Sequence, residues 1–322
     1  MNSRIIFCVM VAVLSFLGGC HHHQQAAELV LNFQPEGEVL YRVVTETGQD
    51  YEFDQPSINK NAKTHTLSRI EVAFVQKTES IAENGSAVAN ITINGLKYLA
   101  GGTKGKTMDF DSSRAKDKSD PLAKLIGLSY KIEITPAGEV KVLNAKAARG
   151  KVKAGFAGKV AKTLLSDDEI QKRHSVLALI DAGQGTLAKG DSWSSLTASP
   201  KGTLMPKSFE KIYTLTDVKK QGSQDIAVIK MEAVPSSKRV EGAAEDEKGF
   251  GALANVFGIE DTDTYDGELV LNLTTGQIVQ YQESFKAEWV AVQSPEEQTS
   301  DKGPDTLTMG FSHVYSVELI KE

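Results

Sequence analysis

The stretch GLSYKIEITPAGEVKVL, Gly127 to Leu143, decides the fold class. Leu128, Tyr130, Ile132 and Ile134 alternate with Ser129, Lys131 and Glu133. A period of two with opposite polarity marks a strand whose one face is dry and the other wet. Pro136-Ala137-Gly138 then supplies turn chemistry, and a second run ends at Val142, so the stretch predicts a hairpin. The same grammar recurs outward in both directions. Ile70, Val72 and Phe74 share a face in LSRIEVAFV. Leu269, Leu271 and Leu273 alternate in GELVLNLTTGQIVQY, Thr275-Gly276 turns, and Ile278 resumes. Near the C-terminus, Leu307, Met309, Phe311, His313, Tyr315, Val317 and Leu319 line one face. The pattern predicts antiparallel sheet with roughly a dozen strands along the chain.

One block breaks the alternation. From Lys146 to about Gly185 the residues recur at helical spacing, with Val152, Phe156, Val160 and Leu164, then Ile170, His174, Leu177 and Ile180. Ser166 followed by Asp167, Asp168 and Glu169 is a capping box with acids at the positive end of the helix dipole. Asp120-Pro121 starts a short helix in DPLAKLIG, with proline at the first helical position. The expected class is therefore α+β, dominated by antiparallel sheet, with a mid-chain helical block. Long strands around such a block can curl into a half-open barrel with helices over its mouth, similar to the periplasmic lipoprotein carrier and receptor fold.

The strands divide into two halves with the same order of parts. GEVLYRVVTETG, THTLSRIEVAFVQKTE, GSAVANITING and the Gly127–Leu143 hairpin make the first. GDSWSSLTASPKG, KSFEKIYTLTDVKK, GSQDIAVIKMEAV and GELVLNLTTGQIVQY make the second. The order predicts an internal duplication joined by the helical block. The closing strand, Thr306–Leu319, has no hairpin partner after it, so it is expected to pair back near Leu29–Phe33 or Val39–Val44.

The N-terminus carries an address. Arg4 precedes an apolar stretch from Ile5 to Leu17, too short for a bilayer core that needs about 20 residues. It fits a secretory signal peptide. The junction Leu17-Gly18-Gly19-Cys20 resembles the bacterial lipobox. That resemblance implies recognition of Leu17, Gly18 and Gly19 by a signal peptidase, acylation of Cys20, and a mature chain that begins there. Several acyl chains, at about 0.8 kcal/mol per buried methylene, make a durable anchor. His21 follows where an aspartate would favour inner-membrane retention, so an outer-membrane anchor facing the periplasm is expected. The expected layout is a signal peptide at 1–19, a polar tether at 20–27, a first β-rich half at 28–143, a helical insert at 144–189 and a second half at 190–322.

Composition sets further bounds. The chain has 322 residues and a formal charge of −6; loss of residues 1–19 removes only Arg4 and leaves −7. This balance argues against a nucleic-acid partner, which calls for a basic face. Cys8 and Cys20 are the two cysteines; the first would leave with the signal and the second would be acylated, so no disulfide is expected.

The candidates for chemistry are few. His21-His22-His23 would be a metal arm only with a fixed second shell, and reads better as tether. Ser192 in GDSW is similar to a lipase nucleophile, but no histidine here has an aspartate three places before it, so Gly190-Asp191 is expected to turn and Trp193 to pack. Asp261, Asp263, Asp266 and Glu268 suggest calcium, but an EF-hand register from Asp261 puts Tyr265 and Asp266 where a ligand and glycine belong. A solvated loop is expected there. Lys141, Lys146, Arg149, Lys151, Lys153, Lys159 and Lys162 could meet anionic lipid, or simply face water while Phe156 and Val160 pack on the sheet. His174 and His313 lie on apolar faces and read as core histidines bonded to backbone. No catalytic residue, metal site or cofactor is assigned.

FDSS at Phe110–Ser113, PLAKLIG before the Gly127–Leu143 hairpin, the helical insert, and KGDSW at Lys189–Trp193 resemble an uncharacterised group of secreted and lipid-anchored bacterial proteins, a domain of unknown function. The resemblance implies the layout and no activity. The expected role is a non-enzymatic, lipid-anchored envelope protein that binds an apolar ligand or a protein partner. A structural component without a ligand and a hydrolase of unrecognised type are the alternatives. An apolar cavity under the helices separates the first from the second, and convergent titratable groups in it would raise the third.

Overall fold

The computed structural model describes residues 26–152, 155–183, 185–240, 257–298 and 301–320. The expected signal peptide, its Leu17-Gly18-Gly19-Cys20 junction and the histidines at 21–23 lie outside the described residues.

The Gly127–Leu143 stretch forms β6 (Ser129–Ile134) and β7 (Val140–Asn144). Tyr130, Ile132 and Ile134 are buried, and Ser129 and Lys131 are exposed, as the alternation requires. The other strands of the first half are β1 (Ala26–Glu28), β2 (Glu38–Gln55), β3 (Lys60–Ile81), β4 (Ala87–Gly102) and β5 (Gly105–Asp111). Four short helices follow: α1 (Lys146–Arg149), α2 (Gly155–Leu164), α3 (Asp167–His174) and α4 (Leu177–Ile180). Then come β8 (Thr186–Ala188), β9 (Ser192–Ala198), β10 (Ser208–Gln221), β11 (Gln224–Ser236), β12 (Phe257–Asn272), β13 (Gln277–Gln293) and β14 (Thr306–Leu319). Strands take 59% and helices 14%, so antiparallel sheet defines the architecture, as the alternation requires.

One 12-stranded sheet runs in the order β7-β6-β4-β3-β2-β14-β13-β12-β11-β10-β9, with β5 beside β4. β9 to β14 form a meander, β2 to β7 do so except that β5 and β6 both pair with β4, and the two runs join where β14 pairs with β2, Val317 opposite Val43 and Leu319 opposite Tyr41. The expected return of the closing strand to Val39–Val44 is met. Leu29–Phe33 does something else: Leu31 N–H donates to Pro136 O (2.7 Å) and Asn32 N–H to Gly276 O (3.0 Å). The segment thereby straps the turns of two hairpins, one from each half. β1 pairs with β8 in a separate two-stranded sheet, so the tether expected over 20–27 ends in a strand at Ala26 and Ala27.

The sheet's outer face carries cross-strand ion pairs, such as Lys97 Nζ–Glu71 (2.9 Å) and Arg69–Glu46 (2.7 Å). Its inner face and the helices form a single core that includes Phe74, Ile132, Ile170, Phe209, Leu269 and Phe285, drawn from both halves.

The helical block departs from expectation. Ser166 Oγ caps α3 by accepting from Glu169 N–H (3.2 Å), as its motif predicts. After His174 the helix breaks: Ser175 turns extended, and Val176 donates its N–H to Gly138 O (3.0 Å). The face therefore shifts, leaving Leu177 exposed and burying Val176, Ala178 and Leu179 instead. Gly138 has φ +84°, and a Cβ there would lie 2.9 Å from Val176 Cβ, so the turn and the break fit only with glycine. Phe156 is 49% exposed and stacks on Tyr98, centroids 5.9 Å apart.

Candidate functional site

Two cavities flank the α3–α4 break. Ser175 and Tyr281 stand in the walls of both. The first, of about 180 Å³, is apolar over most of its lining. Leu31 and Phe33 of the strap, Tyr41 of β2, Phe74 of β3, Val176 of the break and Val317 of β14 surround it. Their sheet members sit there because period-two strands put them on the inner face.

A hydrogen-bond chain fixes the break beside this cavity. Arg173 Nη1 donates to Tyr130 Oη (3.3 Å), and the Tyr130 hydroxyl is hydrogen-bonded to His174 Nε2 (2.8 Å). Burial together with Arg173 holds the imidazole well below its ordinary pKa. Tyr315 Oη donates to Arg173 O (2.9 Å), and Arg173 Nη2 donates to Leu164 O at the end of α2 (2.7 Å). Trp193 Nε1 of β9 donates to Ala178 O of α4 (2.8 Å).

The second cavity, of about 250 Å³, is also apolar over most of its lining but carries a buried ion pair. Lys211 of β10 and Glu283 of β13 meet there at 2.6 Å, with Lys211 only 2% exposed. Phe209, Tyr213 and Leu215 face inward on β10, so Lys211 must face inward too. Tyr281, Phe285 and Ala287 do the same for Glu283 on β13. Opposite Glu283 in the ladder stands Gly267, where a Cβ would come 2.7 Å from Gln282 O and 3.4 Å from Glu283 Cγ. Tyr265 Oη donates to Glu283 Oε2 (2.8 Å), Tyr281 Oη donates to Glu283 Oε1, and Lys211 Nζ lies 4.7 Å from the centre of the Tyr265 ring. Burial pushes the Glu283 carboxyl up, but Lys211 and the two phenols outweigh it and hold it below the usual value. Both phenols are pushed up, first by burial and then by Glu283. His313 lies in the wall, 3.2 Å from Thr47 Oγ1, and burial with the nearby Lys172 lowers it to about 4.

The residues singled out from sequence do not converge. His174 is buried and His313 half-buried, and both bond to side chains, Tyr130 and Thr47, where a bond to backbone is expected. Ser192 Oγ pairs with Thr214 Oγ1 at 2.8 Å, Gly190 has φ +97°, and Trp193 stacks on Tyr213. The expected acidic loop is instead part of β12, zipped along β13. Asp261 and Asp263 both accept from Lys207 Nζ, the latter at 2.8 Å. Among the described residues no three His, Cys, Asp or Glu side chains gather as a metal would need. Among them too, no helix is long and apolar enough to cross a membrane. Arg149 of the basic stretch pairs with Asp167 at 2.9 Å. The Lys211–Glu283 cluster was missed, although its signal was present: strand parity places one charge on the dry face of each of two strands.

Neither a family model nor a curated protein matches this chain. Among solved structures it is similar to one described as "Lipid-protein interactions in lipovitellin", with a TM-score of 0.35 and 10% identity, over 90% of this chain and 26% of that one. The chain thus spans about a quarter of that protein's length, and a likeness so remote bears on neither activity nor ligand.

Proposed function

We propose that this chain is a bacterial lipoprotein, acylated at Cys20 and held at the outer membrane facing the periplasm, whose folded body binds an apolar ligand. The observation that carries the ligand is the 180 Å³ apolar cavity beneath the α3–α4 break. Small-molecule sites usually run to about 300–1,000 Å³, so this one suits a short chain or the end of a longer one. The lipobox and the h-region before it support the anchor.

In this reading the sheet is a half-open barrel. The Pro136 and Gly276 turns lie five strand spacings apart, about 24 Å on a flat sheet. They accept hydrogen bonds from the adjacent amides of Leu31 and Asn32, which supports a curled sheet. Register shifts at Ala73/Phe74, Leu215/Asp217 and Val270/Leu271 supply local twist for such a curl. The meandering order of the two halves, broken only at β5, fits a duplicated ancestor. The chain starting at residue 20, with Cys20→Ser so that no acyl chain of its own competes, should bind dodecanol by calorimetry. Ile278→Trp, which fills the cavity, should abolish binding and keep one sharp melt. No binding by the parent chain would favour the structural envelope role.

A further inference from the structure

The second cavity shares the Ser175–Tyr281 wall with the apolar one, and its charges are unequal. Three lysines line it, Lys172, Lys201 and Lys211, against one carboxylate, Glu283. Lys211 and Glu283 pair with each other, so the surplus positive charge rests on Lys172 and Lys201. Lys172 on the last turn of α3 and Lys201 after β9 stand exposed at the rim. His313 adds no positive charge at neutral pH. The Ser175, Thr197 and Ser199 residues add hydroxyl groups to the same wall. An apolar chamber and a cation-rich chamber thus meet at one helix break.

We propose that the second cavity takes the anionic head, carboxylate or phosphate, of a single-chain amphiphile whose chain enters the apolar cavity. This rests on the apolar-ligand reading above and adds the head-group class. A chain crossing from one cavity to the other passes Ser175 and Tyr281, so the head comes to lie between the rim lysines and the Lys211–Glu283 pair.

The test uses the chain from residue 20 with Cys20→Ser and four probes in calorimetry: dodecanol, dodecanoate, dodecyl phosphate and dodecyltrimethylammonium. Inorganic phosphate is a fifth, since a phosphate could come free as well as on a lipid. Charge-assisted hydrogen bonds contribute enough to make the two anionic amphiphiles bind about tenfold or more tighter than dodecanol, with the cationic one weakest. Lys172→Ser with Lys201→Ser, both exposed and safe for folding, should bring dodecanoate to the level of dodecanol and leave dodecanol unchanged. Equal affinity for dodecanol and dodecanoate, or an unchanged preference in the lysine variant, overturns the head-group assignment and spares the apolar site. Inorganic phosphate binding as tightly as dodecyl phosphate also overturns it, because the anion site would then be uncoupled from the chain. A failure of dodecanol itself to bind removes the underlying reading and this one with it.

Discussion

Gly138 and the Lys211–Glu283 pair show how single residues set this structure. Gly138→Ala forces a side chain into φ +84° and against Val176, and should cost about 1–3 kcal/mol in a urea melt. Lys211→Met leaves Glu283 buried without its cation and should cost about 3–5 kcal/mol, whereas Lys211→Met with Glu283→Leu should recover most of that loss. Equal destabilisation by the single and double variants would contradict the pairing. His174 and His313 give a pH signature. Both are held neutral in the folded state, so the unfolded chain binds more protons between its ordinary 6.5 and the folded value, about 4 for His313. Stability should therefore fall as pH drops from about 6.5 towards 4, and His313→Gln should flatten part of that slope. Glu283, held low, contributes stability that is fully present above the usual carboxylate value and is lost as pH falls from there towards its folded value, so the upper part of the window, from about 6.5 to 5, reports the histidines. Strand parity already placed Lys211 and Glu283 on dry faces. What parity could not give is that they face each other, since three strand spacings separate β10 from β13.

At the scale of elements, local chemistry was legible where it is local. The Ser166 cap, the Pro121 helix start with its Asp120 Oδ1 cap (2.8 Å from Leu122 N), and the Pro136–Gly138 and Thr275–Gly276 turns all form as their residues require. Ser166→Ala should lower stability by about 1 kcal/mol, read by thermal melting. Two elements were misread because tertiary partners overrode propensity. Asp261 to Asp266 has poor strand residues, yet β13 pairs with it from end to end. Ile170 to Ile180 has helical spacing, yet Gly138 captures the Val176 amide and ends α3.

For the whole molecule, the alternation made antiparallel sheet legible, and the unpartnered Thr306–Leu319 strand foretold the join of the halves. The strap of Leu31 and Asn32 across two turns carried no sequence signal, because backbone amides leave none. Since β14 pairs with β2 and the helices pack in one core with both halves, fragments 28–143 and 190–322 should be insoluble or molten, while the whole chain melts once. Two soluble fragments with sharp melts would show that the join adds little. The central claim, an apolar ligand held beneath the α3–α4 break, is tested most directly by native mass spectrometry of the chain purified from its native source. The account predicts a bound adduct of lipid mass that denaturation releases and Ile278→Trp removes. A mass without adduct in parent and variant alike would contradict it.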